Sequence, residues 1–358
     1  MNRLLSTVGN TPNSGNTLTD SVVRRLADTL PGGWRVTARP PSTRPPSGDA
    51  ILRVSGPGSV AASILVEAKQ RVEPRDVDHL ATDLAPGSDR PIMIVAPFLS
   101  ARTRERLTAR GFGYADLTGN VRLSVRRPAL FVETRGADEN PTPALRDRRS
   151  LKGAKAGRLI RALCDCRPPF GLRELAVRAG VDAGYASRII AYLEREALVT
   201  RGRRGPITNT DWPGLLRRWS QEYSPFHPKR VSWYLSPRGL VPLIEALRAR
   251  AARYAVSGSW AAAQFAPVAP PRILLCYDDD IRGLVEATAL RPVDAGANVA
   301  LVEPFDPVLY ERTSRQKAIT VVAPSQIVVD LMTSPGRGPN EAEVLIEWMG
   351  EHEDAWRT

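Results

Sequence analysis

The chain has 358 residues and a mass of 39.1 kDa, with 42% hydrophobic and 25% charged residues; this describes a folded protein too long for one ordinary core, so two or three domains are expected. No apolar run reaches the roughly 20 residues that cross a bilayer, and the opening MNRLLSTVGNTPNSGNT has no hydrophobic segment of signal-peptide length, so membrane insertion is not expected and a cytoplasmic location is. The net charge of +12 is unevenly placed: residues 1–145 carry 19 Lys+Arg against 14 Asp+Glu (+5), residues 146–204 carry 15 against 6 (+9), and residues 205–358 carry 16 against 18 (−2). Codon bias toward Arg accounts for a total but not for a cluster, and a basic central block predicts a nucleic-acid partner there.

In chain order, residues 1–17 are polar and turn-rich and predict a disordered tail. Helical periodicity begins at Thr19-Asp20, with Val22, Val23, Leu26 and Leu30 on one face, and stops at Pro31-Gly32-Gly33. Strand-like runs follow at 34–38, 50–54 and 63–68, then a helix over 74–85, a doubly buried strand "PIMIVAP" at 91–97, a basic helix over 100–110, and strands at 121–126 and 129–134. The order αβββαβα, then ββ, predicts a mixed sheet with flanking helices. In the third run, "ILVEAKQ", Glu67 and Lys69 stand two positions apart and share one face of the strand. The segment "GFGYADLTGNVRL" (111–123) reads as tight turns. Residues 137–150, rich in Pro and charge, are expected to link domains.

A compact helical block follows. Helices are predicted over 156–166, 172–179 and 183–196, and two strands, 197–201 and 206–210, flank the tip Gly202-Arg203-Arg204-Gly205-Pro206. Asp182 is a good N-cap for the third helix, whose first turns carry Tyr185, Ser187 and Arg188. Those turns reach base edges when such a helix enters a major groove, and Arg188 has the fork for a bidentate contact to guanine. Arg201, Arg203 and Arg204 would run along the phosphate backbone or the minor groove. The pattern "ELA..AGV..GYASRII..LE..ALV.R" resembles the winged helix-turn-helix modules of bacterial transcription regulators, over about 55 residues; the resemblance implies double-stranded DNA as the partner. The alternative is a protein-contact module whose arginines form a solvated face.

Asp49, separated from Glu67 by 17 intervening residues at the start of the strand "AILRV", completes an Asp…Glu-x-Lys set. Together with the αβββαβ order, this resembles the restriction-endonuclease-like, PD-(D/E)XK, fold. The resemblance implies that Asp49 and Glu67 are ligands of Mg²⁺ and Lys69 the catalytic lysine, if the site is active. It departs from the family in the first helix, where Asp20 and Asp28 stand in place of the Glu many such nucleases carry. Fold and cleavage are separate matters, and the expectation is a nuclease-type fold with its chemistry lost.

The last third reads as two helices across 211–250, separated by a Pro-rich loop at 224–228. Strands at 254–257, 272–277, 298–303 and 319–322 then alternate with helices at 259–264, 281–288 and 340–350. "YAVSGSWAAAQFAP" and "RILLCYDDD" resemble a nucleotidyltransferase-like core, with Asp278 and Asp280 alternating at a strand end but set farther from Ser259 than in that family. "VVAPSQIVVDLMTSPGRGPNEAEVLIEWM" is similar to the C-terminal domains of AbiEi-type antitoxins, which implies a regulatory or toxin-neutralising role. The near-neutral charge suits a protein partner or self-association. The three cysteines, Cys164, Cys166 and Cys276, are odd in number, lack zinc-ligand spacing and are expected to be reduced, small apolar residues.

The sequence therefore predicts an α/β multidomain protein: a tail (1–17), a restriction-endonuclease-like domain (18–136), a linker (137–150), a winged helix-turn-helix (151–222) and an antitoxin-like, nucleotidyltransferase-like α/β domain (223–358). The expected function is a DNA-binding transcriptional regulator without a cofactor. The alternatives are a Mg²⁺-dependent endonuclease and the antitoxin of a type IV toxin–antitoxin pair.

Overall fold

The computed structural model describes residues 14–39, 48–84, 90–142, 150–202 and 205–358. The protein is a mixed α/β molecule of two compact units, Met1–Arg148 with Arg195–Ala197, and Arg149–Glu194 with Leu198–Thr358. Among the described residues, no helix is long and apolar enough to cross a membrane.

In the first unit the chain runs α1 (Ser14–Thr29), β1 (Arg35–Arg39), β2 (Ala50–Ser55), β3 (Ala61–Ala68), α2 (Asp76–Leu84), β4 (Ile92–Ala96), α3 (Ala101–Ala109), β5 (Gly113–Asp116), β6 (Val121–Val125) and β7 (Leu130–Thr134). The seven strands lie in chain order in one sheet. β3, β4 and β5 are parallel neighbours, and the two flanks are antiparallel. Each face carries its own core. Leu18, Val22 and Leu26, spaced i, i+4, i+8 on α1, pack with Ile64 and Val66 of β3, while Leu65 packs on the other face with Val77 and Leu80 of α2 and Leu107 of α3. β4 is buried along its whole length, as a central parallel strand covered on both faces must be. The helix expected from Thr19 starts at Ser14, so residues 14–17 of the expected tail are helical, whereas 1–13 lie outside the described residues. Burial of Leu18 and Thr19 anchors that first turn despite its weak helix formers.

In the second unit come α4 (Ala154–Asp165), α5 (Leu172–Arg178), α6 (Ala183–Arg195), the hairpin β8 (Val199–Arg201) with β9 (Ile207–Thr210), α7 (Trp212–Ser220), β10 (Val231–Leu235), α8 (Val241–Arg248), β11 (Tyr254–Ser257), α9 (Gly258–Ala262), β12 (Leu274–Asp278), α10 (Ile281–Thr288), β13 (Arg291–Pro292), β14 (Val299–Val302), β15 (Ser314–Gln316), β16 (Ile319–Val321), α11 (Pro324–Met332), α12 (Gly338–Glu351) and α13 (Glu353–Trp356). The larger sheet has the order β13-β10-β14-β12-β11-β16-β15. One apolar core continues from Leu159 and Leu193 through Trp219 to Val256, Leu301 and Leu345. The boundary expected at 222/223 therefore does not divide two cores. Between the two helices expected in 211–250 stands a strand, β10, paired with β13 and β14.

Candidate functional site

The Asp…Glu-x-Lys set converges. β2 and β3 pair antiparallel with Ala50 opposite Val66, and Asp49 continues the ladder through its N–H to the Val66 carbonyl (2.8 Å). Asp49 therefore begins β2 beside Glu67, and its Oδ2 accepts a hydrogen bond from the Ala68 N–H (2.8 Å). Lys69 is fixed by its own N–H to the Val95 carbonyl (2.8 Å), and its Nζ meets Glu67 Oε1 at 2.5 Å. The Glu67 side chain is 13% exposed and that of Lys69 44%. The hydrogen bond Lys69 donates to Glu67, then the Glu67 and Asp49 charges, raise the Lys69 pKa above its ordinary value against the opposing effect of burial. In this state Lys69 is a protonated clamp on Glu67 and a poor proton acceptor.

Two carboxylates with free lone pairs are a fair donor set for one hard cation that keeps most of its water. Asp49 Oδ1 and Glu67 Oε2 are the atoms left for one. Among the described residues no group of three or more His, Cys, Asp or Glu is placed to hold a metal, so any ion here would rest on this pair. α1 packs on the Val66 face of the sheet, away from the Leu65 and Glu67 face, which leaves Asp20 and Asp28 poorly placed to add a third carboxylate.

The segment 111–123 is less a run of simple turns than a polar knot, with the short strand β5 inside it. Asp116, fully buried, accepts from the backbone N–H groups of Leu99, Thr118, Gly119 and Asn120 and from the side chains of Thr118 and Asn120. Asn120 in turn donates to the Ala137 carbonyl and accepts from the Gly136 N–H and from Arg104. Every donor here is spent on the protein, so the knot serves structure.

In the second unit, Asp182 caps α6 by accepting from the Tyr185 N–H (2.7 Å). That bond, with Lys155 nearby, holds the Asp182 carboxyl below its usual range. The solvent face of α6 is formed by Gly184, Ser187, Arg188 and Ala191, at i, i+3, i+4 and i+7. Arg188 is exposed and makes no ion pair among the described residues, standing alone on a face otherwise formed by small residues. The sequence offered this small-residue face through the same spacing, but reasoning from charged residues passed over it. Tyr185 is half-buried against the core, and burial pushes its hydroxyl pKa up. On the hairpin, Arg201 lies 3.9 Å from the Glu194 carboxylate and is half-buried rather than free. Arg203 and Arg204 lie outside the described residues.

Several arginines of the central block are paired within the protein, although pairs made inside the block leave its net charge unchanged. Arg158 grips Asp306 with a fork (2.6–3.0 Å), which raises the Arg158 pKa further. Arg161 is buried on Asp165, Arg178 pairs with Glu174, and Arg167 with Asp354. Arginine clustering here reflects internal bidentate pairing as much as an outward positive face.

The acids after β12 are likewise occupied. Asp278, buried, receives both prongs of Arg250 (2.6 and 2.7 Å) and the Asp280 N–H. Asp279 accepts from Arg253 and from the Tyr310 hydroxyl, and Asp280 caps α10 at the Gly283 N–H. This strand end is therefore ion-paired. The three cysteines are free and buried. Comparison with known proteins finds no matching family model, no matching curated protein and no matching solved structure.

Proposed function

We propose that the protein is a double-stranded-DNA-binding transcriptional regulator, in which α4, α5, α6 and the β8–β9 hairpin act as a winged helix-turn-helix. The observation that carries this reading is the exposed face of α6, where Arg188, unpaired among the described residues, stands between Gly184, Ser187 and Ala191 on a helix capped by Asp182. A bidentate Arg on a small-residue face suits major-groove readout, and Arg203 and Arg204 at the hairpin tip would suit phosphate contact. On this reading the first unit is a restriction-endonuclease-like domain and the rest of the second unit an AbiEi-type antitoxin-like domain, available to a protein partner or to self-association. Three buried free thiols fit a reducing cytoplasm. Gel shifts of the full chain on the region upstream of its own gene, across a salt series, test the proposal. Salt-sensitive binding weakened in Arg188→Ala supports it, and wild type with no salt-sensitive binding overturns it.

A second reading rests on the convergence of Asp49, Glu67 and Lys69. In a Mg²⁺-dependent endonuclease, Asp49 and Glu67 would hold the ion, which supplies positive charge at a scissile phosphate. Lys69, protonated, would stabilise charge developing on that phosphate rather than take up a proton. Closure of the Lys69–Glu67 ion pair in the resting protein favours the regulator.

A further inference from the structure

The second unit contains a cavity of about 410 Å³ whose lining includes Phe226, Trp233, Ser259, Arg272, Leu275 and Arg337. That volume lies in the range of small-molecule sites, roughly 300–1,000 Å³. Two features give it chemical character. The rings of Phe226 and Trp233 stack with centroids 5.7 Å apart and planes within 8°, giving the wall a parallel aromatic pair. Arg272 is exposed, and among the described residues its side chain has neither an ion pair nor a hydrogen bond.

The other cation is already engaged. Arg337 pairs with Glu341 (2.5 Å) and donates to the Pro270 carbonyl. No carboxylate is among the lining residues, so Arg272 borders a cavity lined by no anion of the protein's own. The start of α12 packs tightly on the end of α11 beside the cavity. A Cβ at Gly338 would come within 2.6 Å of the Leu331 carbonyl oxygen, and one at Gly258 would meet Leu275 at 3.3 Å with the backbone already at φ +65°.

A parallel aromatic pair with one uncompensated arginine calls for a planar ligand carrying one negative charge, since stacking takes the ring and the arginine fork takes a carboxylate. We propose that this cavity binds a small aromatic carboxylate, with its ring against the Trp233–Phe226 pair and its carboxylate on Arg272. The proposal does not depend on whether the second unit binds DNA.

The test is isothermal titration of the full-length protein with 2-naphthoate and with its uncharged amide, 2-naphthamide. The expected result is saturable one-to-one binding of the naphthoate, tighter than that of the amide. Arg272→Gln, a change at an exposed position, should weaken the naphthoate about tenfold or more and leave the amide unchanged. Trp233→Leu, checked for native circular dichroism, should weaken both. Absence of saturable naphthoate binding, or equal naphthoate affinity in wild type and Arg272→Gln, overturns the assignment.

Discussion

Arg161 and Asp165 lie one turn apart on α4, both fully buried, with Nε–Oδ2 at 2.9 Å. Neither side chain is satisfied by its own helix alone. Arg161 also donates to Gln326 Oε1 and to the Val308 and Glu311 carbonyls, and Asp165 accepts from the Ser325 hydroxyl at 2.5 Å. Gln326 passes the chain on to Asp330, which Ser257, Tyr223 and Tyr277 also reach. A continuous polar network thus ties the helical block to the larger sheet within one core.

Removing one partner of such a buried pair strands a charge. Arg161→Met is expected to destabilise the second unit by about 3 kcal/mol. Asp165→Leu added to Arg161→Met should recover much of the loss, because the pair then leaves together. Urea denaturation of both variants measures this, and a double mutant no better than the single would show that Ser325 and Gln326 alone demand the charges.

Asp330 supplies a pH signature. Burial, opposed by four hydrogen bonds, raises its pKa to about 6. Because the folded pKa lies above the unfolded one, the native state holds a proton that the unfolded chain has lost between about pH 4 and 6. The stabilisation is complete at the acid end of that window and is lost as pH rises through about 6. A rise across that whole window is worth about 3 kcal/mol at most. Asp330→Asn should flatten this part of the stability–pH curve and be the more stable protein at about pH 7 to 8. A curve of unchanged slope in Asp330→Asn would assign the dependence to another group.

Much of the helical block was legible because its apolar spacing is amphipathic: Leu159, Ile160 and Leu163 on α4, and Ile189, Ile190 and Leu193 on α6, are all buried as their periodicity predicts. α11 was not legible as a helix. Residues 324–331 are buried on every side, so "PSQIVVDL" has no polar face to mark a period, and its Ile-Val-Val run imitates a strand. β5 was hidden by its length and by Asp116, which ends the strand and organises the turn after it. The Asp49, Glu67 and Lys69 set could be read from spacing, since register across one hairpin is local. The partners of Asp278 and Asp330 could not, because Arg250, Tyr223 and Ser257 reach them through tertiary folding that no short pattern encodes.

The proposed DNA surface separates two kinds of arginine. Arg188→Ala should relax base preference at one position of the site, at a cost of about 1–3 kcal/mol for the preferred sequence. Arg203→Ala with Arg204→Ala should weaken binding to all sequences alike and flatten the salt dependence by up to about two ions. Binding isotherms on preferred and scrambled duplexes distinguish them. Equal losses on both duplexes for Arg188→Ala would move that residue to the phosphate class.

In the first unit, Lys69 clamps Glu67 at 2.5 Å, and the neighbouring Asp49 charge helps keep the lysine protonated. While the ammonium stays, it offsets one of the two neighbouring carboxylate charges and competes with any cation for Glu67. Lys69→Ala removes that competitor and leaves Asp49 and Glu67 to repel each other. The variant should therefore melt lower than wild type without divalent ions and gain more in Tm from millimolar Mg²⁺ than wild type does. Adding Glu67→Gln to Lys69→Ala should abolish the Mg²⁺ response, since one carboxylate remains. The same preparations report on cleavage: wild type is expected to leave supercoiled plasmid intact in Mg²⁺. Nicking by wild type that disappears in both Glu67→Ala and Lys69→Ala would put the endonuclease ahead of the regulator. A Mg²⁺ response equal in wild type and Lys69→Ala would instead show that the lysine does not guard the carboxylates.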